Sequence, residues 1–493
     1  MRRASRPAPE SALERSVSPA PQMRAEGLSE ACIGAFENSY NMLVSGDSGM
    51  ISEASIAPAA DLPELEKLDV KPDMSLLAKA CVCKLNGGLG TSMGLDKAKS
   101  LLEVKGGDSF LDLIAKQIIN ARKKLGFDVK FVLMNSFSTS DDTKEYLCSK
   151  YPEFASEWAA IEMVQNKVPK VDAKSKAPAE WPKNPSLEWC PPGHGDLYAT
   201  LIGSGKLKEL RAAGIKYMFV SNSDNLGADL DLALLTHFAK SGSPFMMECC
   251  TRTEADKKGG HLAMRTADGQ LILRESAQCA DADEKAFQDV AKHRFFNTNN
   301  LWLDLEQLEA LLAKTGGVVR LPTILNGKTV DPQDGASTKV VQLETAMGAA
   351  IELFAGASAI VVPRSRFAPV KKCSDLLLLR SDAYGLVNFK PTLAATPAPI
   401  VDLDSKKYKL VGQLADLTTA GVPSLKACKK LTVKGEVAFS SRVRIVGEVK
   451  VTNPTDGPLE MPPGTYANEE VTLPCERAPE GPCACSDGGC ALM

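Results

Sequence analysis

Histidine is scarce in this sequence, and the common constellations of catalytic side chains are missing. Four histidines occur among 493 residues, at positions 194, 237, 261 and 293. Neither a Ser-His-Asp nor a paired-carboxylate constellation is recognisable along the chain. These absences give no support to hydrolysis by an activated serine or to catalysis by two carboxylates.

Long apolar runs and an excess of charge of one sign are also missing. The best candidate for a membrane span, residues 345–363, is interrupted by Gly348, Glu352 and Gly356. No secretory signal is recognisable. Lysine and arginine total 58 against 61 acidic residues, a net charge of −3. This balance argues against nucleic acid as the main partner, so we expect basic chemistry only locally, in a pocket.

Cysteine, in contrast, is frequent. The chain has 14 cysteines, and several lie within apolar runs, among them Cys81, Cys83, Cys249 and Cys250. Without a secretory signal, this distribution predicts reduced thiols that pack as small apolar side chains in a cytoplasmic protein.

Both ends of the sequence differ in composition from the body. Residues 1–26 contain five arginines and four prolines, so we expect a disordered N-terminal extension. A transit peptide is the alternative, although Glu10 and Glu14 count against it. Residues 466–493 form a Cys-rich tail that ends in Cys490-Ala-Leu-Met, which fits the C-a-a-X prenylation pattern or a chance ending equally well. A single prenyl group would give only weak membrane association.

Between residues 76 and 385, strand-like and helix-like segments alternate. Residues 79–85 are short and apolar, as in a buried strand, and residues 111–125 have helical periodicity and precede Gly126. This alternation predicts an α/β catalytic domain with a mixed, mostly parallel sheet, after a partly helical lead-in at 27–75. Because ligands of such sheets bind at the carboxyl ends of strands, the loops after strands are the candidate functional segments.

Residues 386–465 contain a repeated glycine pattern. V-K-G-E-V at 433–437 is echoed by I-V-G-E-V at 445–449, which places Gly435 and Gly447 twelve residues apart. Short β runs with a repeated glycine predict a C-terminal β-helix, a β-solenoid of stacked coils. An antiparallel β subdomain is the alternative.

A glycine-rich loop at residues 84–94, K-L-N-G-G-L-G-T-S-M-G, directly follows the predicted strand at 79–85. Glycines let main-chain amides approach phosphate oxygens. The string does not match a P-loop, and Met93 stands where the dinucleotide fingerprint needs its last glycine. A tight turn is the alternative, but Lys99 follows closely enough to reach back to bound phosphates. The loop therefore predicts a nucleotide-phosphate site.

A second loop, N-S-D at 222–224, follows the predicted strand at 216–220. A carboxylate at the end of a strand can hold Mg²⁺, which takes oxygen ligands and bridges phosphates. The alternative is that Asp224 or Asp229 caps the next helix. One aspartate supplies too few ligands for Mg²⁺, so phosphates of a bound nucleotide should complete the ligand shell.

Three other polar residues have ordinary interpretations on their own. Gln165 is a loop amide that would normally face water, and His194 lies in a P-P-G-H-G turn. Lys371 stands next to Lys372, as in a solvated pair. Taken alone, the residues favour these ordinary interpretations over ligand binding.

The glycine loop is the first of nine strings that occur in one order along roughly residues 27–450. The others are Q-N-K-V-P at 165–169, P-P-G-H-G-D at 191–196, N-S-D-N-L-G at 222–227, K-K-G-G-H-L-A at 257–263, R-E-S-A-Q at 274–278, F-F-N-T-N-N-L-W at 295–302, Q-L-E-T-A-M-G-A-A at 342–350 and V-P-R-S-R-F-A-P-V-K at 362–371. Together they resemble the eukaryotic UDP-glucose pyrophosphorylases (UTP–glucose-1-phosphate uridylyltransferases), and G-L-D-K-A-K-S at 94–100 is most similar to the protozoan branch.

The resemblance implies a Rossmann-like nucleotidyltransferase domain and a role for each matched residue. Lys99 and Lys371 would be catalytic, and Asp224 would bind Mg²⁺, with Lys99 adjacent through the phosphate; Asp229 is left to cap a helix. The residues implied to bind substrate are Leu85, Asn86, Gly87, Gly88, Lys99, Gln165, Gly193, His194, Asn222, Ser223, Asp224, Gly260, Glu275, Asn297, Asn299 and Lys371.

Several of these roles are specific. The backbone of residues 85–88 would hold UTP, and Gln165 would bind the uracil edge with a main-chain contact from Gly193. His194 would lie against the sugar 1-phosphate. The groups implied for the sugar hydroxyls are Glu275, Asn297 and Asn299.

The implied reaction joins UTP and α-D-glucose 1-phosphate to give UDP-glucose and pyrophosphate, reversibly and with Mg²⁺ as cofactor. Another sugar 1-phosphate, such as galactose 1-phosphate or N-acetylglucosamine 1-phosphate, is an alternative substrate. A non-catalytic nucleotide-sugar binder recruited to membranes through Cys490 is a further alternative, which Lys99, Asp224 and Lys371 disfavour. The expected partners are these small molecules, and the chain is expected to be a monomer or a homo-oligomer.

Overall fold

The computed structural model describes residues 18–394 and 397–476 of the chain. These residues form two compact units, which we call the larger unit and the smaller unit. Of the described residues, the larger unit consists of 18–88, Ile118–Ser223 and Ala228–Phe367. The smaller unit consists of Leu89–Gln117, Asp224–Gly227, 368–394 and 397–476. The division falls inside two of the sequence motifs, the glycine loop and N-S-D-N-L-G.

Helices α1 to α13 of the described residues follow in chain order. They span Ala20–Ala25, Glu30–Ser45, Phe110–Leu125, Ser140–Lys150, Pro152–Ala155, Trp158–Ile161, Leu197–Gly203, Lys206–Ala212, Leu232–Ser241, Glu284–Phe287, Leu305–Thr315, Cys373–Arg380 and Val411–Asp416. None of them combines the length and the apolar character that a membrane span requires.

Strands β1 to β25 of the same residues are mostly short. They span Ile56–Pro58, Ala80–Asn86, Glu103–Lys105, Asp108–Ser109, Lys130–Asn135, Glu162–Val164, Val168–Pro169, Val171–Asp172, Trp189–Cys190, Tyr217–Asn222, Phe245–Thr251, His261–Arg265, Leu271–Arg274, Phe295–Asp304, Thr323–Thr329, Lys339–Thr345, Ser358–Val361, Tyr384–Val387, Lys390–Leu393, Ile400–Asp402, Ser424–Lys434, Val437–Ala438, Val443–Thr452, Leu459–Glu460 and Gly464–Thr472.

A ten-stranded sheet forms the centre of the larger unit, and it confirms the predicted α/β class. Strands β10, β2, β5 and β6 are consecutive and parallel. The sheet is mixed, as predicted. Parallel pairs do not outnumber antiparallel ones: β11 and β17 form one further parallel pair, whereas β14 runs antiparallel to β10, β11 and β12, and β12 is antiparallel to β1 and β13. The relative direction of two strands depends on which strands pair, and the residue pattern of a single strand carries no information about its partner.

Strand β2 shows why the parallel strands lie at the centre. All seven of its residues are buried, as expected for a strand covered on both faces. Its sequence is small and apolar except for Lys84 and Asn86. The Lys84 ammonium donates to the hydroxyl of Ser221 at 2.8 Å and to the carbonyl of Ala228 at 2.7 Å. A buried lysine is tolerated here because its donors have partners.

A buried ion pair joins the antiparallel part of the same sheet to the chain that follows β17. The Arg366 guanidinium donates to both oxygens of Glu248, at 2.8 Å each. Glu248 lies on β11 and is fully buried, and Trp302 of β14 also donates to it, at 2.9 Å. A buried carboxylate of this kind depends on its partners, because desolvation is costly without them.

The same arginine corrects the prediction for Asp229. Asp229 accepts a hydrogen bond from Arg366 at 2.9 Å, and Asp231 instead caps helix α9 by accepting from the main-chain N–H of Leu234. Asp229 is therefore not the helix cap. The two aspartates are two residues apart, and local sequence preferences do not distinguish them.

The C-terminal strands of the smaller unit do not confirm the predicted β-solenoid. Strands β20, β21, β23 and β25 form one parallel sheet, and β22 and β24 form a separate parallel pair. Within residues 397–476 these sheets do not constitute a solenoid of repeated coils. The alternative of an antiparallel β subdomain is wrong as well, because every one of these pairings is parallel.

The glycine echo has a local explanation. Gly435 and Gly447 both have left-handed backbones, with φ of +79° and +65°. A Cβ atom would collide with Asn453 at the first position and with Asn468 at the second. Each glycine therefore permits a close approach of a later segment, and two such positions do not require a longer repeat.

The predictions for the chain ends fall mainly outside the described residues. This holds for residues 1–17 of the predicted N-terminal extension and for Cys490 with its predicted prenylation. Ala20–Ala25, which belong to the predicted extension, form helix α1. The predicted domain boundaries at 76, 386 and 466 stay predictions.

Removing the Arg366 side chain should strongly destabilise the larger unit. We expect Arg366→Ala to lower the free energy of unfolding by about 3–5 kcal/mol, because Glu248 would remain buried without its cation. Arg364→Ala is the matched control: that side chain is 41% exposed and pairs with Asp256, so its loss should cost at most about 1 kcal/mol. Equal losses in urea denaturation of the two variants would contradict the structural role of the buried pair.

Candidate active site

The carboxyl ends of four parallel strands meet at one edge of the central sheet. Leu85 lies opposite Asn222, Asn86 lies opposite Asn135, and Asn135 lies opposite Val164. This register brings together the loop segments that follow the strands, including the predicted residues at 86–88, 165 and 222–223. The loops after these strands, which the sequence indicates as candidate functional segments, therefore leave the sheet side by side.

Gln165 fits closely against the glycine loop at this edge. A Cβ atom on Gly87 would lie 2.7 Å from Oε1 of Gln165, so a larger residue at position 87 would displace the amide. The Gln165 side-chain N–H donates to the carbonyl of Gly193 at 2.9 Å. Its main-chain N–H donates to the carbonyl of Asn135 at 2.7 Å. Gln165 is thus held in one orientation and is 8% exposed, contrary to a water-facing loop amide.

The P-P-G-H-G turn packs against the end of β16. Gly193 has φ +81°, and a Cβ atom there would lie 2.5 Å from the carbonyl oxygen of Thr345. The main-chain N–H of Thr345 donates back to the carbonyl of Pro192 at 2.9 Å. The turn and the segment after β16 therefore hold each other in place.

His194 is oriented by the same segment. Its Nδ1 accepts a hydrogen bond from the main-chain N–H of Met347 at 3.0 Å. In the neutral ring the proton is then on Nε2, which makes Nε2 the donor nitrogen. The hydroxyl of Tyr198 fixes the other side of Met347 by donating to its carbonyl at 2.8 Å. His194 is therefore held by more than its own turn.

The next residue of this segment contacts the predicted sugar-binding asparagines. A Cβ atom on Gly348 would lie 2.6 Å from Nδ2 of Asn297. Asn297 donates to Oδ1 of Asn299 at 2.8 Å and accepts from the main-chain N–H of Asn299 at 2.8 Å. Asn299 has φ +58° and lies where the pairing of β14 with β11 shifts in register. This irregularity turns two amides toward each other at one place in the strand.

Gly260 and Glu275 form a second contact pair. Gly260 immediately precedes β12 and packs directly against the carboxylate of Glu275, which immediately follows β13. Strands β12 and β13 are antiparallel neighbours, with His261 opposite Arg274. His261 also lies opposite Phe296 of β14, next to Asn297. The structure thus brings the two candidate sugar-contacting sets to the same part of the sheet.

Two predicted residues, Asn86 and Ser223, form hydrogen bonds within the fold itself. The amide of Asn86 donates to Oδ1 of Asn135 at 2.8 Å and to the hydroxyl of Thr143 at 3.0 Å. The main-chain N–H of Ser223 donates to the carbonyl of Leu85 at 3.0 Å. Asn86 therefore shapes the loop through its side chain, and a ligand contact from it would be through the main chain.

Asp196 and Asn166 are positioning residues that the sequence did not single out. Asp196 accepts from the main-chain N–H of Asn166 at 2.7 Å, from its amide at 3.0 Å, and from the hydroxyl of Thr200 at 2.8 Å. Burial raises the pKa of Asp196 to about 6, against the opposing effect of these hydrogen bonds. Because Asn166 follows Gln165 directly, this network fixes the chain beside the amide. Asp196 is the last residue of the motif P-P-G-H-G-D, which is the sequence feature that could have indicated its role.

The remaining histidines are structural. His261 and His293 are fully buried, and their rings stack with centroids 3.9 Å apart. Burial lowers the pKa of His261 to about 3, with a further lowering from His293. His237 is half-buried in helix α9, as in a packing role.

The smaller unit contains a separate ionic cluster. The Lys99 ammonium donates to Oδ2 of Asp224 at 2.6 Å and to the carbonyl of Val370 at 2.5 Å. The main-chain N–H of Val370 donates to the carbonyl of Asp224 at 3.3 Å. The side chains of Lys99 and Asp224 are 16% and 17% exposed. Three motifs that are far apart in the sequence therefore meet at this ion pair.

Asp224 has a carboxylate oxygen suited to a metal. Its Oδ1 is buried and has no hydrogen-bond partner among residues 18–394 and 397–476. An unpaired buried oxygen is costly unless a ligand such as a cation satisfies it. Within the same residues no three side chains of His, Cys, Asp or Glu come together as a metal site. The aspartate fits a cation whose other ligands come from elsewhere.

Lys371 is exposed and lies next to Val370 in the chain. Its main-chain N–H donates to Oδ2 of Asp375 at 2.8 Å, and that of Lys372 donates to the same oxygen at 3.0 Å. Asp375 lies in the first turn of helix α12 and so fixes the main chain at both lysines. These bonds fix the main chain that carries the two lysine side chains. The lysine that pairs with Asp224 is Lys99 and not Lys371.

Comparisons with known proteins agree with this arrangement. The sequence model of the family described as UTP–glucose-1-phosphate uridylyltransferase matches residues 33–446. The protein of that name from Saccharomyces cerevisiae is 39% identical over 417 residues, which is 83% of this chain and 81% of the relative. The one from Solanum tuberosum is 38% identical over 435 residues, which is 87% of each.

Solved structures give the same result. A mutant UDP-glucose pyrophosphorylase from Leishmania major, in complex with UDP-glucose, is 46% identical with a TM-score of 0.89, covering 94% of this chain and 100% of the other. A Trypanosoma brucei protein described as UDP-glucose phosphorylase is 47% identical with a TM-score of 0.87, covering 93% and 100%. The resemblance found in the sequence is confirmed, and the chain belongs to the UTP–glucose-1-phosphate uridylyltransferase family, the UDP-glucose pyrophosphorylases.

Proposed function

We propose that the protein transfers a uridylyl group from UTP to α-D-glucose 1-phosphate, giving UDP-glucose and pyrophosphate in a reversible reaction. The observation that carries the proposal is the edge of the central sheet in a chain of this family. There Gly87 packs against Gln165, Gln165 donates to Gly193, and His194 follows Gly193. The Leishmania major relative was solved with UDP-glucose bound, which supports the choice of product.

In the proposed reaction a phosphate oxygen of the sugar 1-phosphate attacks the α-phosphorus of UTP in line. The bond from the α-phosphorus to the bridging oxygen breaks, and pyrophosphate leaves on the opposite side. A phosphate monoester is already largely ionised at pH 7, so the attacking oxygen needs no strong general base. The protein's tasks are positioning and the neutralisation of negative charge.

The larger unit provides positioning in this proposal. The backbone of residues 85–88 holds UTP, and Gln165 binds the uracil edge, since an amide can donate and accept at once. The hydrogen bond to Gly193 sets the direction of that amide before the nucleotide arrives. Such pre-orientation reduces the entropy lost on binding.

The sugar phosphate contacts are proposed for the same unit. His194 donates through Nε2 to the sugar 1-phosphate, a direction consistent with Nδ1 accepting from Met347. Asn297 and Asn299 bind sugar hydroxyls together with Glu275. The mutual hydrogen bonds of the two asparagines limit their movement, which favours recognition of one hydroxyl arrangement.

Charge neutralisation is proposed for the smaller unit. Lys99 and Lys371 contact the phosphates, and Asp224 holds Mg²⁺ through Oδ1, with nucleotide phosphate oxygens as further ligands. When bound, the cation would stabilise the negative charge that develops on the phosphates. Because Oδ2 of Asp224 already accepts from Lys99, the carboxylate can keep the lysine beside the metal position. A cytoplasmic location, which the cysteine content predicts, belongs to the same proposal.

The reaction is tested by measuring pyrophosphate release from UTP with a panel of sugar 1-phosphates. We expect release with α-D-glucose 1-phosphate, and a lower kcat/KM with galactose 1-phosphate and N-acetylglucosamine 1-phosphate. Reactions without a sugar phosphate serve as the control for UTP hydrolysis. Release that depends on a different sugar would transfer the proposal to that sugar, and no release with any of them would refute it.

Lys99→Ala should lower kcat by roughly 10²-fold or more, because one preorganised positive charge is lost from the phosphates. Lys97→Ala is the matched control, since Lys97 is an exposed lysine two residues away. Steady-state turnover at saturating UTP and sugar phosphate is the measurement. A Lys99→Ala enzyme with the turnover of the control would remove Lys99 from the mechanism.

Asp224→Asn should raise the Mg²⁺ concentration needed for half-maximal activity by about tenfold or more, because the charged oxygen ligand is lost. The amide oxygen can still accept from Lys99, so the variant separates metal binding from the lysine contact. Asp96→Ala, at an exposed aspartate, is the control. An unchanged Mg²⁺ titration in Asp224→Asn would exclude the proposed metal ligand.

A further inference from the structure

The smaller unit contains an open pocket of about 650 Å³ that the roles above do not use beyond one lysine. It is formed by the start of helix α12, by the loop between β20 and α13, and by part of the glycine loop. Four of its lining residues are lysines: Lys371, Lys372, Lys406 and Lys409.

These lysines are not neutralised by ion pairs. No ion pair joins any of the four ammonium groups to a carboxylate within the described residues, although many other lysines of the chain are paired. Lys407, which lies between two of them, pairs instead with Glu436 at 3.0 Å and does not line the pocket. Three carboxylates lie close to the pocket. Asp402 is in its wall, Asp375 accepts the main-chain N–H groups of Lys371 and Lys372, and Asp404 accepts the main-chain N–H of Lys406 at 3.0 Å. The positive charge of the pocket exceeds the negative charge around it.

The neutral lining groups suit a ligand that accepts hydrogen bonds. Exposed hydroxyls of Ser92 and Ser405 lie in the wall and can donate. Met93, Leu403 and Tyr408 are buried and form an apolar base, which strengthens electrostatic interactions above it. The Tyr408 hydroxyl donates to the carbonyl of Val437 at 2.6 Å and is therefore committed to the fold. Ammonium groups and hydroxyls around an apolar base favour a polyanion that carries many acceptor oxygens.

We propose that this pocket binds a diphosphate group and that Lys372, Lys406 and Lys409 are diphosphate-binding residues in addition to Lys371. The inference rests on the proposed function, in which pyrophosphate is the product released and the substrate of the reverse reaction. A diphosphate carries more negative charge than a phosphate monoester and so suits four unpaired cations better. The group has two sources, free pyrophosphate or the β- and γ-phosphates of UTP, and both have the same chemistry.

The test is calorimetric titration of the full chain with pyrophosphate in the absence of nucleotide. We compare wild type, the double variant Lys406→Ala/Lys409→Ala, and Lys407→Ala as the matched control. The double variant should bind pyrophosphate about tenfold more weakly or worse, and the control should change by less than about twofold, because charge-assisted contacts are lost only in the former. Circular dichroism checks that each variant is folded, and Lys406→Gln and Lys409→Gln replace the double variant if it is not.

A parallel titration with UTP distinguishes the two sources. Weaker binding of both pyrophosphate and UTP assigns the pocket to the β- and γ-phosphates, whereas weaker binding of pyrophosphate alone assigns it to the free product. Unchanged pyrophosphate affinity in the double variant, or an equal loss in Lys407→Ala, would overturn the proposal. Failure of the proposed function is seen separately, because it would appear as wild-type enzyme that forms no UDP-glucose, whatever its affinity for pyrophosphate.

Discussion

The register of four parallel strands is the constraint on which the candidate site of the larger unit depends. Strands β10, β2, β5 and β6 end within one residue of each other across the sheet, so the loops after them emerge side by side. A register shift of one residue would turn their side chains to the opposite face and bury different groups. Lys84 lies inside the sheet and donates to Ser221 and Ala228. A shift in register would remove these partners from a buried ammonium group. The pairing of the strands therefore fixes the points at which these loops begin, independently of the loop residues.

The motifs in these loops form a series of contacts, each with the next. Gly87 admits the Gln165 amide, Gln165 donates to Gly193, and the next residue, His194, accepts from Met347. Gly348 then packs against Asn297. Each step joins segments that are distant in the sequence, and several steps need glycine because a Cβ atom would collide. The glycines of these motifs thus act mainly through close packing, and the φ of Gly87 is not left-handed.

The sequence predicts local features of this site well and distant pairings poorly. The strands before the glycine loop and before N-S-D lie within two residues of their predicted bounds, because apolar runs followed by glycine or polar turns have clear local signals. The antiparallel position of β14 was not predicted, since it depends on pairing with distant strands. For the same reason the role of Asp229 was missed: its partner Arg366 is 137 residues away.

The resemblance to known uridylyltransferases carried more than local patterns could. Gln165 and His194 have ordinary interpretations as isolated residues, and the ligand roles predicted for them rest on the resemblance of the ordered motifs. Gly348 and Asp196 had no assigned role, because one acts by lacking a side chain and the other by holding Asn166. Residues of this kind are recognised once a structure shows what they contact.

The two units differ in the type of interaction that they offer a ligand. The candidate residues of the larger unit are mostly main-chain groups, amides and an imidazole, which select by direction and shape at modest energy. Those of the smaller unit are Lys99, Asp224 and Lys371, charged groups that act over longer distances and depend on ionic strength. In the proposed uridylyl transfer the first kind of interaction would distinguish uracil and sugar, and the second would lower the repulsion between two phosphate esters. Base and sugar recognition can consequently vary by substitution of neutral residues, while the charge requirement of phosphoryl chemistry stays the same.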